Sequence, residues 1–210
     1  MKSIGLAVVL GILPCGSAVG QVFRATPQIA WVSHSEVDKS LEHGGFGFGA
    51  AVGMTHGRWG LDLAGYRASL DPEASAPTGA PFHLVQLDLH ATYAIASAIV
   101  ILTGASRRWV NPKFAAPDVG YFRLGLLTQT ALARQGKVWA RVAYLVAPRF
   151  NGGGSAGLAI EIGLGTWIGT ADGRYGLRAE YDFQRIDRSI NGAAVPVQMA
   201  VAKAGLQLGF

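Results

Sequence analysis

The sequence predicts an all-β fold, a closed antiparallel barrel of ten strands, and three observations carry the prediction. Apolar residues recur at every second position in one stretch after another. The last stretch is the most regular: Ala202, Ala204, Leu206, Leu208 and Phe210 share one face, and Lys203, Gly205, Gln207 and Gly209 share the other. No amphipathic helix of useful length accompanies these stretches to cover their apolar faces. Beyond the N-terminus no segment is apolar for long enough to make a spanning helix. The nearest is Ala91 to Ala105, which Thr92, Tyr93, Ser97 and Thr103 dilute. Finally, the connections alternate in length when counted back from Phe210. Residues 188–197, 150–155, 110–118, 70–81 and 35–44 are long, and residues 169–173, 132–137, 96–97 and 55–58 are short.

Taken in order, the chain begins with a leader. Met1-Lys2-Ser3 is a short basic start, Ile4 to Pro14 an apolar core, and Ala18-Val19-Gly20 supplies the small residues a signal peptidase inspects. Residues 1–20 are therefore expected to be a cleaved signal peptide and residues 21–210 a single barrel domain. Cys15 is the only cysteine and lies inside the leader. The exported chain then carries no disulfide and no thiolate, although export delivers it to an oxidising compartment.

A first strand is expected within Gln21 to Ser33, with Ile29 and Trp31 on one face, followed by a polar loop from Glu36 to Gly44. Gly45 to Met54 alternates Phe46, Phe48, Ala50, Val52 and Met54 with glycine and alanine. Such a small inner face leaves room for side chains from across a narrow barrel. Thr55-His56-Gly57-Arg58 is a turn, and Trp59, Leu61 and Leu63 continue the apolar face opposite Gly60, Asp62 and Ala64. A proline-rich loop from Leu70 to Pro81 leads to a strand in which Val85, Leu87, Leu89, Ala91 and Tyr93 oppose Gln86, Asp88, His90 and Thr92.

The next strand, about Ala98 to Trp109, is apolar on both faces at its start. If it merges with its neighbour and the first strand lies outside the sheet, the count falls to eight. Leu124, Leu126 and Thr128 then oppose Arg123, Gly125 and Gln129. Val138, Ala140, Val142, Tyr144 and Val146 oppose Arg141 and Ala143. Leu158, Ile160, Ile162 and Leu164 oppose Ala159, Glu161, Gly163 and Gly165. After a turn at Thr170 to Gly173, Tyr175, Leu177, Ala179, Tyr181 and Phe183 oppose Gly176, Arg178, Glu180, Asp182 and Gln184. The 29 glycines suit a tightly curved sheet.

An uncovered apolar face and a closed sheet that pairs its own backbone are the requirements for crossing a lipid bilayer with strands. Aromatics toward the strand ends, Trp59, Tyr93, Trp139, Trp167, Tyr175, Tyr181, Phe183 and Phe210, suit interfacial girdles, with Trp139 and Trp167 of inward parity. The terminal Gly205-Leu206-Gln207-Leu208-Gly209-Phe210 resembles the assembly signal of bacterial outer-membrane barrels. With the leader, it makes residues 21–210 similar to the small outer-membrane β-barrel proteins of the OmpA/OmpX/OmpW-like type. That resemblance implies insertion in the outer membrane of a Gram-negative-type cell after export through the inner membrane. It implies as partners the membrane lipid and lipopolysaccharide, periplasmic chaperones and the barrel-assembly machinery. The machinery would read Ala204, Leu206, Leu208 and Phe210.

If the apolar face is outside, the interior collects Asp62, Asp88, His90, Arg123, Arg141, Glu161, Arg178, Glu180, Asp182 and Lys203. Unpaired charges in a narrow lumen are costly, so these are expected to form an ion-pair network that plugs the barrel. The expected function is a non-enzymatic structural or surface barrel, a monomer without cofactor or metal. A lumen lined for small solutes is the alternative within the same fold. A soluble lipocalin-like barrel is the alternative with the faces reversed, and its solvent face would have to be the glycine- and alanine-rich one. A lipid A-modifying enzyme is disfavoured by geometry. Ser33, His34, Ser35 and Glu36 hold the required residue types, yet adjacent strand residues point to opposite faces. Basic residues exceed acidic ones, 18 to 13, but are spread along the chain, which argues against nucleic acid as a partner.

Overall fold

The computed structural model describes residues 21–37, 41–74, 79–113, 116–132, 135–170 and 173–210. The leader expected at residues 1–20 lies outside them. The strands are β1 (Gln21–Glu36), β2 (Leu41–His56), β3 (Trp59–Pro72), β4 (Phe82–Ala94), β5 (Ile99–Asn111), β6 (Val119–Leu132), β7 (Gly136–Phe150), β8 (Ser155–Gly169), β9 (Tyr175–Ile190), β10 (Ala193–Ala194) and β11 (Val197–Gly209). Each long strand pairs antiparallel with its sequence neighbours. β11 pairs with both β9 and β1, which closes the sheet on ten strands and removes its edges. β10 is a two-residue excursion that pairs back on β9. The eight-strand alternative is thereby excluded: β1 lies in the wall between β11 and β2, and β5 pairs separately with β4 and β6. At the seam Phe210 exchanges two backbone hydrogen bonds with Phe23, so pairing runs to the last residue.

The strands run further toward the long-loop end than expected. The expected loop from Glu36 to Gly44 shrinks, because β1 reaches Glu36 and β2 already starts at Leu41. The expected loops 70–81, 110–118 and 150–155 shrink in the same way, and the last strand starts at Val197. The physical reason lies on the outward face. Near the long loops it turns from apolar to polar (Ser33, Ser35, Glu42, Ser69, Asp71, His83), so the residues look like loop while the backbone ladder continues. A tilted strand needs about 9–11 residues to cross a bilayer. These strands have 13 to 16, and the excess carries the polar outward residues.

The outward wall between those polar ends is apolar and uncovered: Phe46, Phe48 and Leu177 are 72%, 76% and 69% exposed. Among the described residues no helix is long and apolar enough to cross a membrane. Inside, the long-loop half of the barrel is filled. Toward the long loops, Val32, Leu70, Phe82, Leu84, Val110 and Met199 form one buried apolar cluster, and Val119, Tyr121, Leu145, Phe150, Ile186 and Val197 form a second. Phe150 enters that cluster because the β6–β7 register slips beside Gly120 and Ala147 adopts a left-handed backbone (φ 50°). The bulge shifts the parity, so Arg149 is exposed and Phe150 buried. At the turn end of β5, Val100 and Leu102 are buried inside, which explains why that strand begins apolar on both faces.

The inward glycines have two different uses. On β2, a Cβ at Gly47 would collide with the backbone of Arg67 and Ala68 on the neighbouring strand, so here glycine permits the sheet to curl sharply onto itself. Elsewhere the space goes to side chains of the neighbouring strand, and not, as expected, to side chains from across the barrel. A Cβ at Gly165 would meet the Trp139 ring, and one at Gly176 would meet the Trp167 ring.

Candidate functional site

The period-two pattern of each strand decides which side chains enter the lumen, and a closed barrel brings residues far apart in sequence into one layer. All ten charged or titratable residues singled out from the sequence lie on the inward parity of their strands. Asp62 is on β3, Asp88 and His90 on β4, Arg123 on β6, Arg141 on β7, Glu161 on β8, Arg178, Glu180 and Asp182 on β9, and Lys203 on β11.

Eight of them form a connected array across the barrel. Near the turn end Arg178 pairs with Glu180 at 2.8 Å and its guanidinium lies 5.1 Å from the centre of the Trp139 ring. Glu180 also meets Lys203 at 3.3 Å, and Lys203 meets Asp182 at 2.8 Å. Asp182 accepts a hydrogen bond from Arg141, which pairs with Glu161 at 3.1 Å. Glu161, 1% exposed, accepts hydrogen bonds from Arg123 and Gln184, each at 2.7 Å. Arg123 reaches Asp88 at 3.5 Å. Asp62 stands apart from this array, paired with Arg24 at 3.3 Å, and the His90 imidazole lines the same space without a hydrogen bond at Nε2.

Several participants were not picked out from the sequence. Arg108, 2% exposed, donates to Gln86 and to Gln184, both at 2.9 Å. Gln86 also accepts from Tyr66 at 3.1 Å and donates to Asp88 at 2.9 Å, while Ser106 donates to Asp88. Gln184 donates to the Tyr121 hydroxyl at 2.5 Å. Arg108 sits in the run Arg107-Arg108-Trp109, which reads as a strand end followed by a loop. Extending the parity of Val100 and Leu102 along β5 would have placed it inside. The glutamines were visible on polar faces, but without charge they gave no cue to a role.

Packed together, these groups leave little space. The void among Tyr66, Gln86, Asp88, Arg123, Glu161 and Lys203 is about 20 Å³, room for roughly one water. The charged layer is capped on the long-loop side by the two apolar clusters and flanked on the turn side by Trp139 and Trp167. Chemically, every carboxylate in the layer already faces a cation. Among the described residues no cluster of His, Cys, Asp or Glu is arranged to hold a metal ion.

Ser33 and Ser35 face outward while His34 and Glu36 point inward, so serine and histidine are on opposite sides of the wall. His34 packs edge-on against Phe82 with ring centres 6.0 Å apart. Trp139 and Trp167 occupy the lumen rather than an aromatic girdle. At the end of the chain, Ala204, Leu206 and Phe210 are on the outward wall, and Leu208 shares their parity.

No family model and no curated protein matches the chain. Solved structures do match. The outer membrane protease OmpT from Escherichia coli aligns over 92% of this chain and 99% of its own, at 10% identity and a TM-score of 0.56. An outer membrane channel from Pseudomonas putida F1 aligns over 94% of this chain and 100% of its own, at 9% identity and a TM-score of 0.50. The fold is thus that of outer-membrane β-barrels. One of these similar structures is a protease and the other a channel, so the shared architecture assigns neither activity to this chain.

Proposed function

We propose that this chain is a non-enzymatic, integral outer-membrane barrel with a sealed lumen and a structural or surface role. It would be exported by its leader and placed with the long loops outward. The single observation that carries the reading is the blocked interior: a cross-braced ion-pair layer between an apolar plug and two tryptophans, with a void of about 20 Å³ within that layer. Solute passage needs a continuous wet path. Here it would have to displace Arg123, Arg141 and Glu161, each held by charged partners. Acid–base or nucleophilic catalysis by the lumen carboxylates would need one that substrate can reach, whereas Asp88, Glu161, Glu180 and Asp182 are inward and already paired. The uncovered apolar belt supports lipid rather than water as the outer solvent.

The test combines location and conductance. The protein is expected to fractionate with outer membranes, to resist extraction by high salt, and to give no steady conductance in planar bilayers. Recovery as a soluble periplasmic protein defeats the membrane reading. A large, stable open channel defeats the plug and turns the same charges into a pore lining.

A further inference from the structure

The outward wall carries few charges, and they gather at the long-loop margin of the apolar belt. Two of them are neutralised locally: Arg107 pairs with Asp118 at 2.5 Å, and Arg185 with Asp187 at 2.9 Å. Arg67 on β3 is different. It is exposed, has outward parity, and has no hydrogen-bond or ion-pair partner among the described residues. Its opposed neighbours are Phe48 on β2 and Val85 on β4, both apolar. The next outward residue on its strand, Ser69, is hydrogen-bonded to His83 at 2.8 Å, so Arg67 stands where the wall changes from apolar to polar.

From Arg67 a row of directly opposed residues runs around the wall through Phe48, Ile29, Ala204, Ala179 and Thr166. Barrel strands tilt, so this row descends toward the turn end. Arg67 is the ninth residue of β3 from that end, and Thr166 the fourth of β8. Midway the wall is low, because Pro27, Ala204 and Ala179 have short side chains, while Phe48 and Leu177 rise on either side. The resulting open groove measures about 830 Å³ and is almost wholly apolar. From Arg67 to Ala204 is three inter-strand spacings, about 14 Å, within reach of an extended acyl chain.

We propose that this wall is a seat for one acylated lipid of the leaflet at the long-loop end whose phosphate carries an uncompensated negative charge, as a zwitterionic headgroup does not. The Arg67 guanidinium would hold the phosphate and the groove over Ala204 and Ala179 an acyl chain. A guanidinium matches a phosphate in fork geometry, and an unpaired cation against hydrocarbon is costly unless an anion or water meets it. The groove offers an acyl chain more contact than the convex wall elsewhere. The inference rests on the reading of the apolar belt as a lipid-facing surface.

The test uses the whole barrel refolded in dodecyl maltoside, with lipid retention counted by native mass spectrometry. The probes are lipid A, dioleoylphosphatidylcholine and inorganic phosphate. The parent is expected to retain one lipid A and to release phosphatidylcholine. Arg67→Gln and Ala204→Leu are each expected to lower retention by about tenfold, the loss of one charge-assisted contact or of the groove. Arg185→Gln, a margin arginine away from the groove, should behave as the parent. Parent-like retention by Arg67→Gln, equal retention of phosphatidylcholine, or full displacement of lipid A by inorganic phosphate overturns the seat. Insertion of the same samples into vesicles, read by heat-modifiable gel mobility, separates the two readings. A barrel that does not insert refutes the lipid-facing belt itself, and one that inserts but retains lipids without selectivity refutes only the seat.

Discussion

Replacing Glu161 by glutamine tests whether the charged layer holds the barrel together. Glu161 is the hub of the array: buried, and within 2.7 Å of Arg123 and 3.1 Å of Arg141. Glutamine has nearly the same shape and keeps hydrogen-bonding capacity toward Gln184, so the change removes a charge and little volume. Arg123 then depends on Asp88 at 3.5 Å, and Arg141 on Asp182 alone. Breaking a buried pair by removing one partner costs about 3–5 kcal/mol, because the surviving charge stays desolvated. Two arginines are affected, but each keeps a second carboxylate, so the middle of that range, about 4 kcal/mol, is expected.

The assay is urea unfolding in lipid vesicles, followed by tryptophan fluorescence with heat-modifiable mobility as a second probe. The reference is Arg185→Ala, which breaks an exposed pair whose side chains are 43% and 40% accessible and is expected to cost under about 1 kcal/mol. A Glu161→Gln loss no larger than that of the reference would refute the argument that desolvated partners brace the lumen. The double variant Arg123→Met with Glu161→Met supplies the converse check. It should lose less than the sum of its single variants, since removing both charges leaves neither orphaned.

Gly176→Ala places a methyl group where the Trp167 ring lies and is expected to destabilise the barrel by about 1–3 kcal/mol with a change in tryptophan emission, whereas Gly57→Ala in the β2–β3 turn, where a Cβ meets open space but the backbone is left-handed (φ 57°), should cost about 1 kcal/mol by backbone strain and leave the emission unchanged. Phe210→Asp is expected to lower the amount of barrel inserted in cells while detergent refolding is little affected, since one boundary aromatic contributes at most roughly 1.5–3 kcal/mol of burial; equal loss by both routes, compared on heat-modifiable gels, counts against a role in assembly.

The period-two pattern was enough to orient the wall. Phe46 and Phe48 against Gly45 and Gly47, or Val85 and Leu87 against Gln86 and Asp88, determine the outward and inward faces locally, because strand side chains alternate whatever the tertiary context. The alternation of long and short connections gave the strand count for the same reason: antiparallel neighbours must reverse at each end. Parity also placed every candidate lumen charge inside. It could not say which charges meet, since pairing partners such as Arg123 and Glu161, or Arg108 and Gln184, are set by the curvature and stagger that bring non-adjacent strands face to face. Strand ends were misjudged where the outward face turns polar beyond the apolar belt, as at Leu41 to Gly44, because polarity there reflects the surrounding solvent and not the loss of the ladder. Parity failed outright past Ala147, where a bulge of one residue exchanged Arg149 and Phe150 between the two faces. The plug, too, was a tertiary outcome. Leu70, Phe82, Leu84 and Met199 read as ordinary apolar residues near loops, and only closure of the sheet over ten strands drew them into one core above the charged layer.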